Sequence, residues 1–133
     1  MSHDQPRVPV SYGELIDKIT ILEIKSERIS DSQKLRNVRF ELDLLSAIWE
    51  PLDRRAGTAE SRQAVDGLRE VNRTLWDIED DIRGKESEKT FDDGFVRLAR
   101  AVYQTNDRRA ELKKIVNVEM GSTLVEEKSY ENY

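Results

Sequence analysis

The 133-residue chain has no cysteine, one histidine, three prolines, six glycines and nine aromatic residues. Without cysteine there is no disulfide framework, no thiolate zinc site and no cysteine nucleophile. The lone His3 lies in a polar stretch ahead of Pro6, where chain ends fray. That leaves no histidine for a Ser-His-Asp triad, an HExxH zinc site or the Glu-x-x-His ligands of di-iron bundles. The shortage of glycine and proline excludes a turn-rich β-sandwich or barrel. No apolar run approaches the roughly 18 to 20 residues of a membrane span, and no signal-peptide pattern opens the chain. A cytoplasmic protein with no membrane partner and no cofactor is expected.

What the chain has in excess is charge. Charged and hydrophobic residues each make up 37%, whereas soluble domains average about 25% charged. The net charge of −5 gives no overall attraction to nucleic acid. Arg97, Arg100 and Arg108 lack an aromatic platform and read as a solvated face, so nucleic acid is not an expected partner. The length fits a single domain over residues 1–133 with a modest core.

Four long helical segments account for nearly everything. Ser11-Tyr-Gly-Glu14 fits a capping box, with Glu14 reaching back to the freed backbone N–H, and starts a helix from Tyr12 to about Ile29. Ser30-Asp-Ser-Gln33 repeats the device. The second helix should end near Trp49, because Pro51 disfavours helix at its predecessor. Asp53 to Thr58 then reads as a connection. Thr58 or a neighbour opens the third helix, which ends between Arg83 and Glu88. Thr90-Phe-Asp-Asp93 opens the fourth, with acidic charge at its positive end, and Gly121 stops it.

Each segment carries an apolar stripe at helical spacing: Leu15, Ile19, Leu22 and Ile29; Leu35, Val38, Leu42, Leu45 and Trp49; Leu68, Val71, Leu75, Ile78 and Ile82; Phe91, Phe95, Leu98 and Val102. Four such stripes on short connections predict an all-α fold. Its form is an antiparallel bundle of four long helices (11–121) with an extended N-terminal arm (1–10) and C-terminal tail (122–133). Helix 2 has a second apolar face in Phe40, Leu44, Ala47 and Ile48, and helix 1 shows the same tendency through Ile21 and Ile24. A helix apolar on two sides must be covered on two sides. The expected cover is a second copy, giving a homodimer through Phe40, Leu44, Ile48, Ile21 and Ile24; the alternative is a monomer covered by its own tail.

The fourth stripe breaks down informatively. After Val102 it continues as Thr105, Asn106, Arg109 and Lys113 before recovering at Leu112 and Val116, and Arg109 falls near the centre of the apolar arc. Residues 97–114 carry six basic and two acidic side chains, whereas residues 76–93 carry eight acidic and three basic. Asn72, Trp76, Glu79 and Arg83 form a stripe flanking the core face of helix 3, and Asn37 and Glu41 lie one turn apart on helix 2. Two arrangements account for these residues. One is a closed internal network, with Arg109 paired to Glu79 or Glu41 and the amides bridging, since buried charge persists only when paired. The other is a pocket in which Thr105, Asn106, Arg109 and Lys113, with Asn72, Glu79, Asn37 and Glu41, bind a small anionic ligand against Trp76. The Arg fork suits a carboxylate or phosphate.

The alternative to such a non-catalytic interaction or ligand-binding module is a small enzyme acting on a phosphorylated or carboxylated substrate through Arg109, Lys113, Asn106 and Glu79, with Mg²⁺ on carboxylates as one form of it. Glu14-x-x-Asp17 and Asp77-x-Glu79-Asp80 resemble the carboxylate pairs of all-helical Mg²⁺-dependent nucleotide pyrophosphohydrolases, since hard cations want oxygen ligands. That would imply hydrolysis of a nucleotide or sugar nucleotide. The second glutamate-rich pair of those enzymes is missing in register, and Asp77, Asp80 and Asp81 lie away from the core-facing side. No catalytic residue and no metal ligand is therefore assigned. The tail, with Leu124, Val125, Tyr130 and Tyr133 among acidic residues, either docks as an extended arm or frays.

Several strings carry a wider resemblance: Val10-Ser-Tyr-Gly-Glu-Leu-Ile-Asp-Lys-Ile-Thr-Ile-Leu-Glu-Ile-Lys25, Arg28-Ile-Ser-Asp31, Leu75-Trp-Asp-Ile-Glu-Asp-Asp-Ile-Arg83, Tyr103-Gln-Thr-Asn-Asp-Arg-Arg109 and Glu126-Glu-Lys-Ser-Tyr130. Across almost the whole chain these resemble a family of small bacterial proteins of unknown function. The resemblance implies a setting near genes for surface-polysaccharide and glycosyl-transfer functions, and it carries over no catalytic residues.

Overall fold

A computed structural model describes residues 4–133; His3 lies outside them. The fold is all-α, with four helices packed together: α1 (Tyr12–Arg28), α2 (Ser32–Ala56), α3 (Ala59–Ser87) and α4 (Asp93–Met120). Local signals place most of the boundaries. Ser11 caps α1 by accepting from the Glu14 N–H, and Thr58 and Ser61 form a reciprocal capping box at α3. Gly121 ends α4 in the left-handed region at φ 75°, where a residue without Cβ is unstrained.

Three local expectations need correction. The caps of α2 and α4 are Asp31 and Asp92 rather than Ser30 and Thr90; each carboxylate accepts an N–H three residues on. Pro51 does not end α2, which runs to Ala56 and leaves only Gly57 and Thr58 as the link to α3. A proline inside a helix costs about 3 kcal/mol, but Leu52 and Ala56 beyond it pack against the core, and their burial offsets that cost. The capping box at α1 is also only half made, because Glu14 turns its carboxylate to Lys113 on α4.

Helix α1 is the central element, packing against each of the other three, while α3 and α4 form the most extensive pair and α2 leans on α1. It runs antiparallel to α4, as Gly13–Asn117 and Asp17–Arg109 show, and parallel to α3, as Glu23–Arg69 and Arg28–Asp77 show. Its N-terminal half therefore sits over α4 and its C-terminal half over α3. Ile16, Leu68 and Val116 are buried where the three meet, each contributing roughly 1.5–3 kcal/mol. Of the second apolar face of α1, Ile24 is covered within the protomer at 1% exposure, whereas Ile21 is half-buried. The outer face of α2 is different, with Phe40, Leu44 and Ile48 at 65%, 40% and 49% exposure. No helix among the described residues is long and apolar enough to cross a membrane.

Candidate functional site

The site is assembled where α1 crosses from α4 to α3. Gly13 brings the first turn of α1 against α4 so closely that a Cβ there would stand 2.5 Å from the Lys113 carbonyl oxygen. Its N–H donates to Asn117 Oδ1 at 2.6 Å. The next residue, Glu14, accepts from Lys113 Nζ at 2.7 Å, and Glu126 of the tail accepts from the same ammonium at 2.8 Å. The next turn presents Asp17, 1% exposed. Its carboxylate accepts from Arg109 Nε at 2.9 Å, from Arg109 Nη2, and from Asn72 Nδ2 at 3.0 Å. Thr20 completes the cluster, accepting from Asn72 Nδ2 at 2.9 Å and donating to the Asp17 carbonyl at 2.7 Å.

The charges follow from these contacts. Hydrogen bonding to Asp17 raises the Arg109 guanidinium above its ordinary value, against the opposing effect of burial. Burial alone would lower the Lys113 ammonium, but its bonds to Glu126 and Glu14 more than offset that and hold it raised. Lys113 in turn holds the Glu126 carboxyl below the ordinary carboxylate range. Among the described residues no buried side-chain nitrogen or oxygen lacks a partner, as expected of a network that persists in an interior.

Beside this network the divergence of α1 from α4 opens a groove of about 440 Å³, lined by Ile21, Asn72, Leu75, Trp76, Glu79, Asp80, Arg83, Asn106 and Arg109. Five of the nine residues expected to bind a ligand thus converge there: Asn72, Trp76, Glu79, Asn106 and Arg109. The Trp76 ring is covered from one side by the Arg28 guanidinium at 5.9 Å, which also pairs with Asp77. Lys113 lies across Asp17 from the groove, enclosed by its two carboxylates with 10% of its side chain exposed. Thr105 is half-buried on α4 and does not line the groove.

Asn37 and Glu41 do not join the groove. Asn37 is exposed and accepts from Gln33, and Glu41 pairs with Lys18, because α2 packs on α1 away from Arg109. The partner of Arg109 is therefore Asp17, not Glu79 or Glu41; Glu79 holds Arg83 instead. Asp17, Thr20, Asn117 and Glu126 were not anticipated as parts of the network. The available signal was a matched spacing: two carboxylates one turn apart, at 14 and 17, facing two cations one turn apart, at 109 and 113.

The tail lies along α4. Beyond the Glu126 contact, the Tyr133 hydroxyl donates to Asp107 and its ring meets Tyr103 edge-on, with centroids 5.0 Å apart. Among the described residues no group of three or more His, Cys, Asp or Glu side chains is arranged to hold a metal ion. No curated protein and no solved structure matches the chain. Residues 6–133 match the family of unknown function DUF6165, and the chain belongs to that family.

Proposed function

We propose that the chain is a non-catalytic helical binding module whose groove between α1, α3 and α4 receives a small polar ligand. The supporting observation is the state of Arg109. Asp17 fixes two of its three guanidinium nitrogens, and Nη1 is left with a 3.5 Å contact to Asn106 at the groove wall. A guanidinium held in this way loses little freedom on binding. Trp76 supplies an apolar wall, and Glu79 and Asp80 supply acceptors. The lining holds two carboxylates and two guanidiniums, so the ligand carries one anionic or strongly accepting group for Arg109 and hydrogen-bond donors for the carboxylates. Lys113, already between two carboxylates, takes no part.

A Mg²⁺-dependent hydrolase is the less favoured reading. Glu14 and Asp17 would have to release Lys113 and Arg109, and Asp77 would have to release Arg28, before any of them could ligate a metal. A bacterial setting near glycosyl transfer, implied by the family resemblance, guides the choice of compounds. A thermal-shift screen of sugar nucleotides, phosphates, small carboxylates and divalent cations tests the proposal. A ligand at a hundred times its Kd stabilises by about 2.7 kcal/mol, raising Tm on the order of 10 °C for a chain of this size. The shift should vanish in Trp76→Ala and Asn106→Leu variants. Equal shifts in wild type and both variants would place the ligand elsewhere and refute the proposal.

A further inference from the structure

The groove differs chemically from one end to the other. On α3, Asn72, Trp76 and Asp80 line it at four-residue intervals, so the first and last stand about 12 Å apart along the helix. Arg109 marks the Asn72 end, because Asp17 bonds both residues. Helical side chains lean towards the N-terminus of their own helix, which turns Asp80 back over Trp76 and shortens the span to roughly 10 Å. We propose, building on the groove as the binding site, that its ligand is a short peptide of about three residues with both ends free. Its carboxylate meets Arg109 and its ammonium meets Asp80.

Charge selects a ligand of this kind. Three carboxylates at the groove, Asp17, Glu79 and Asp80, face two guanidiniums, Arg83 and Arg109. Asp17 holds Arg109 and Glu79 holds Arg83, which leaves Asp80 with no ion pair among the described residues. A wholly anionic ligand would add to an excess of negative charge. A zwitterion answers the open edge of Arg109 and the unpaired Asp80 together. Length narrows the class further, since an extended chain covers about 3.3–3.6 Å per residue. The two charges of a single α-amino acid stand too close to reach both ends, whereas three residues span them. The middle of the groove suits a peptide unit. Asn72 gives its amide hydrogens to Asp17 and Thr20, and its Oδ1 accepts from no group among the described residues. Because no buried side-chain oxygen there lacks a partner, that oxygen is open to the groove. On α4, Asn106 Nδ2 has no acceptor among the described residues. One acceptor and one donor on neighbouring helices match the N–H and C=O of a peptide bond. Ile21, Leu75 and Trp76 supply the apolar wall for a side chain.

Titration calorimetry with Ala-Leu-Ala and Ala-Phe-Ala tests this. At least one should bind the wild type. The C-terminal amide of that peptide should bind about tenfold more weakly or worse, and its N-acetyl form about fivefold more weakly. Asp80 is exposed, so Asp80→Asn leaves the fold intact, and in that variant the free and N-acetyl peptides should bind alike. Failure of both tripeptides to bind, or equal affinity for the free acid and the amide, overturns the peptide. An N-acetylation penalty undiminished in Asp80→Asn overturns the placement of the ammonium. If phosphates or sugar nucleotides alone raise Tm, in a way that Trp76→Ala and Asn106→Leu abolish, the groove stands as a binding site and only the peptide falls. A tripeptide that binds the wild type and both of those variants equally overturns the groove and the peptide together.

Discussion

Arg109 holds Asp17 with two of its three guanidinium nitrogens, across 92 positions of sequence. Asp17 is almost wholly buried and Arg109 is partly exposed, so the pair is desolvated on one side and wet on the other. Removing one partner leaves an uncompensated charge, whereas removing both does not.

Arg109→Leu should therefore destabilise the protein by about 3 kcal/mol or more, because it strands a buried carboxylate with only Asn72, and Asp17→Leu by somewhat less, because the partly exposed guanidinium can turn to water. The double variant should lie closer to wild type than the sum, with a coupling energy of about 2 kcal/mol or more. Urea denaturation of the four proteins measures it. Additive losses would show that the two side chains do not act as a pair.

The anchor of the tail is pH-sensitive in both directions. Glu126 has a folded pKa depressed by Lys113, so its contribution is present above the ordinary carboxylate range and lost as pH falls through the folded value. Lys113 has a folded pKa raised by its carboxylates, so its contribution is full below the ordinary lysine value and lost as pH rises through the folded one. NMR resonances of residues 122–133 should move to unstructured positions in acid before the helices melt. Glu126→Gln should abolish the acid transition. A tail unaffected by that substitution would show that Tyr133 and Tyr103 alone hold it.

Gly13 is a point of close backbone approach between α1 and α4. A methyl group there would press on backbone rather than on a flexible side-chain end. Gly13→Ala should cost roughly 1–3 kcal/mol, despite the better helix propensity of alanine. A thermal melt of that variant at or above the wild-type Tm would mean that α1 can shift to make room.

Pro51 withholds an N–H from the exposed Ala47 carbonyl in the middle of α2. Pro51→Ala should raise stability by about 1–2 kcal/mol, the restored hydrogen bond and propensity being partly cancelled by the freer unfolded chain. Chemical denaturation checks the sign. A loss would show that the ring packs usefully or that a kink is required.

The four helices were legible in the sequence because apolar spacing and caps are local properties. Misplaced Arg109 and its neighbours Asn72, Trp76 and Asn106 were legible too, since a cation on an apolar arc contradicts its surroundings. The identity of its partner was not. Asp17 is one of 27 acidic residues, and only the diagonal path of α1 over α4 and α3 brings it to Arg109. Pro51 misled for the opposite reason: a sound local rule was outweighed by the packing of Leu52 and Ala56, which no four-residue window contains.

The bond between Gly13 and Asn117 joins the first turn of the bundle to the last turns of its final helix. The helical body is in effect a closed loop in space, and the seam between residues 121 and 11 is no more special than the two-residue link at Gly57–Thr58. A permuted chain that starts at Thr58, runs through α3 and α4, crosses a short flexible linker into Ser11 and ends at Gly57 should fold with Asp17, Asn72 and Arg109 together. The order in which the helices are synthesised is thus separable from the arrangement they reach.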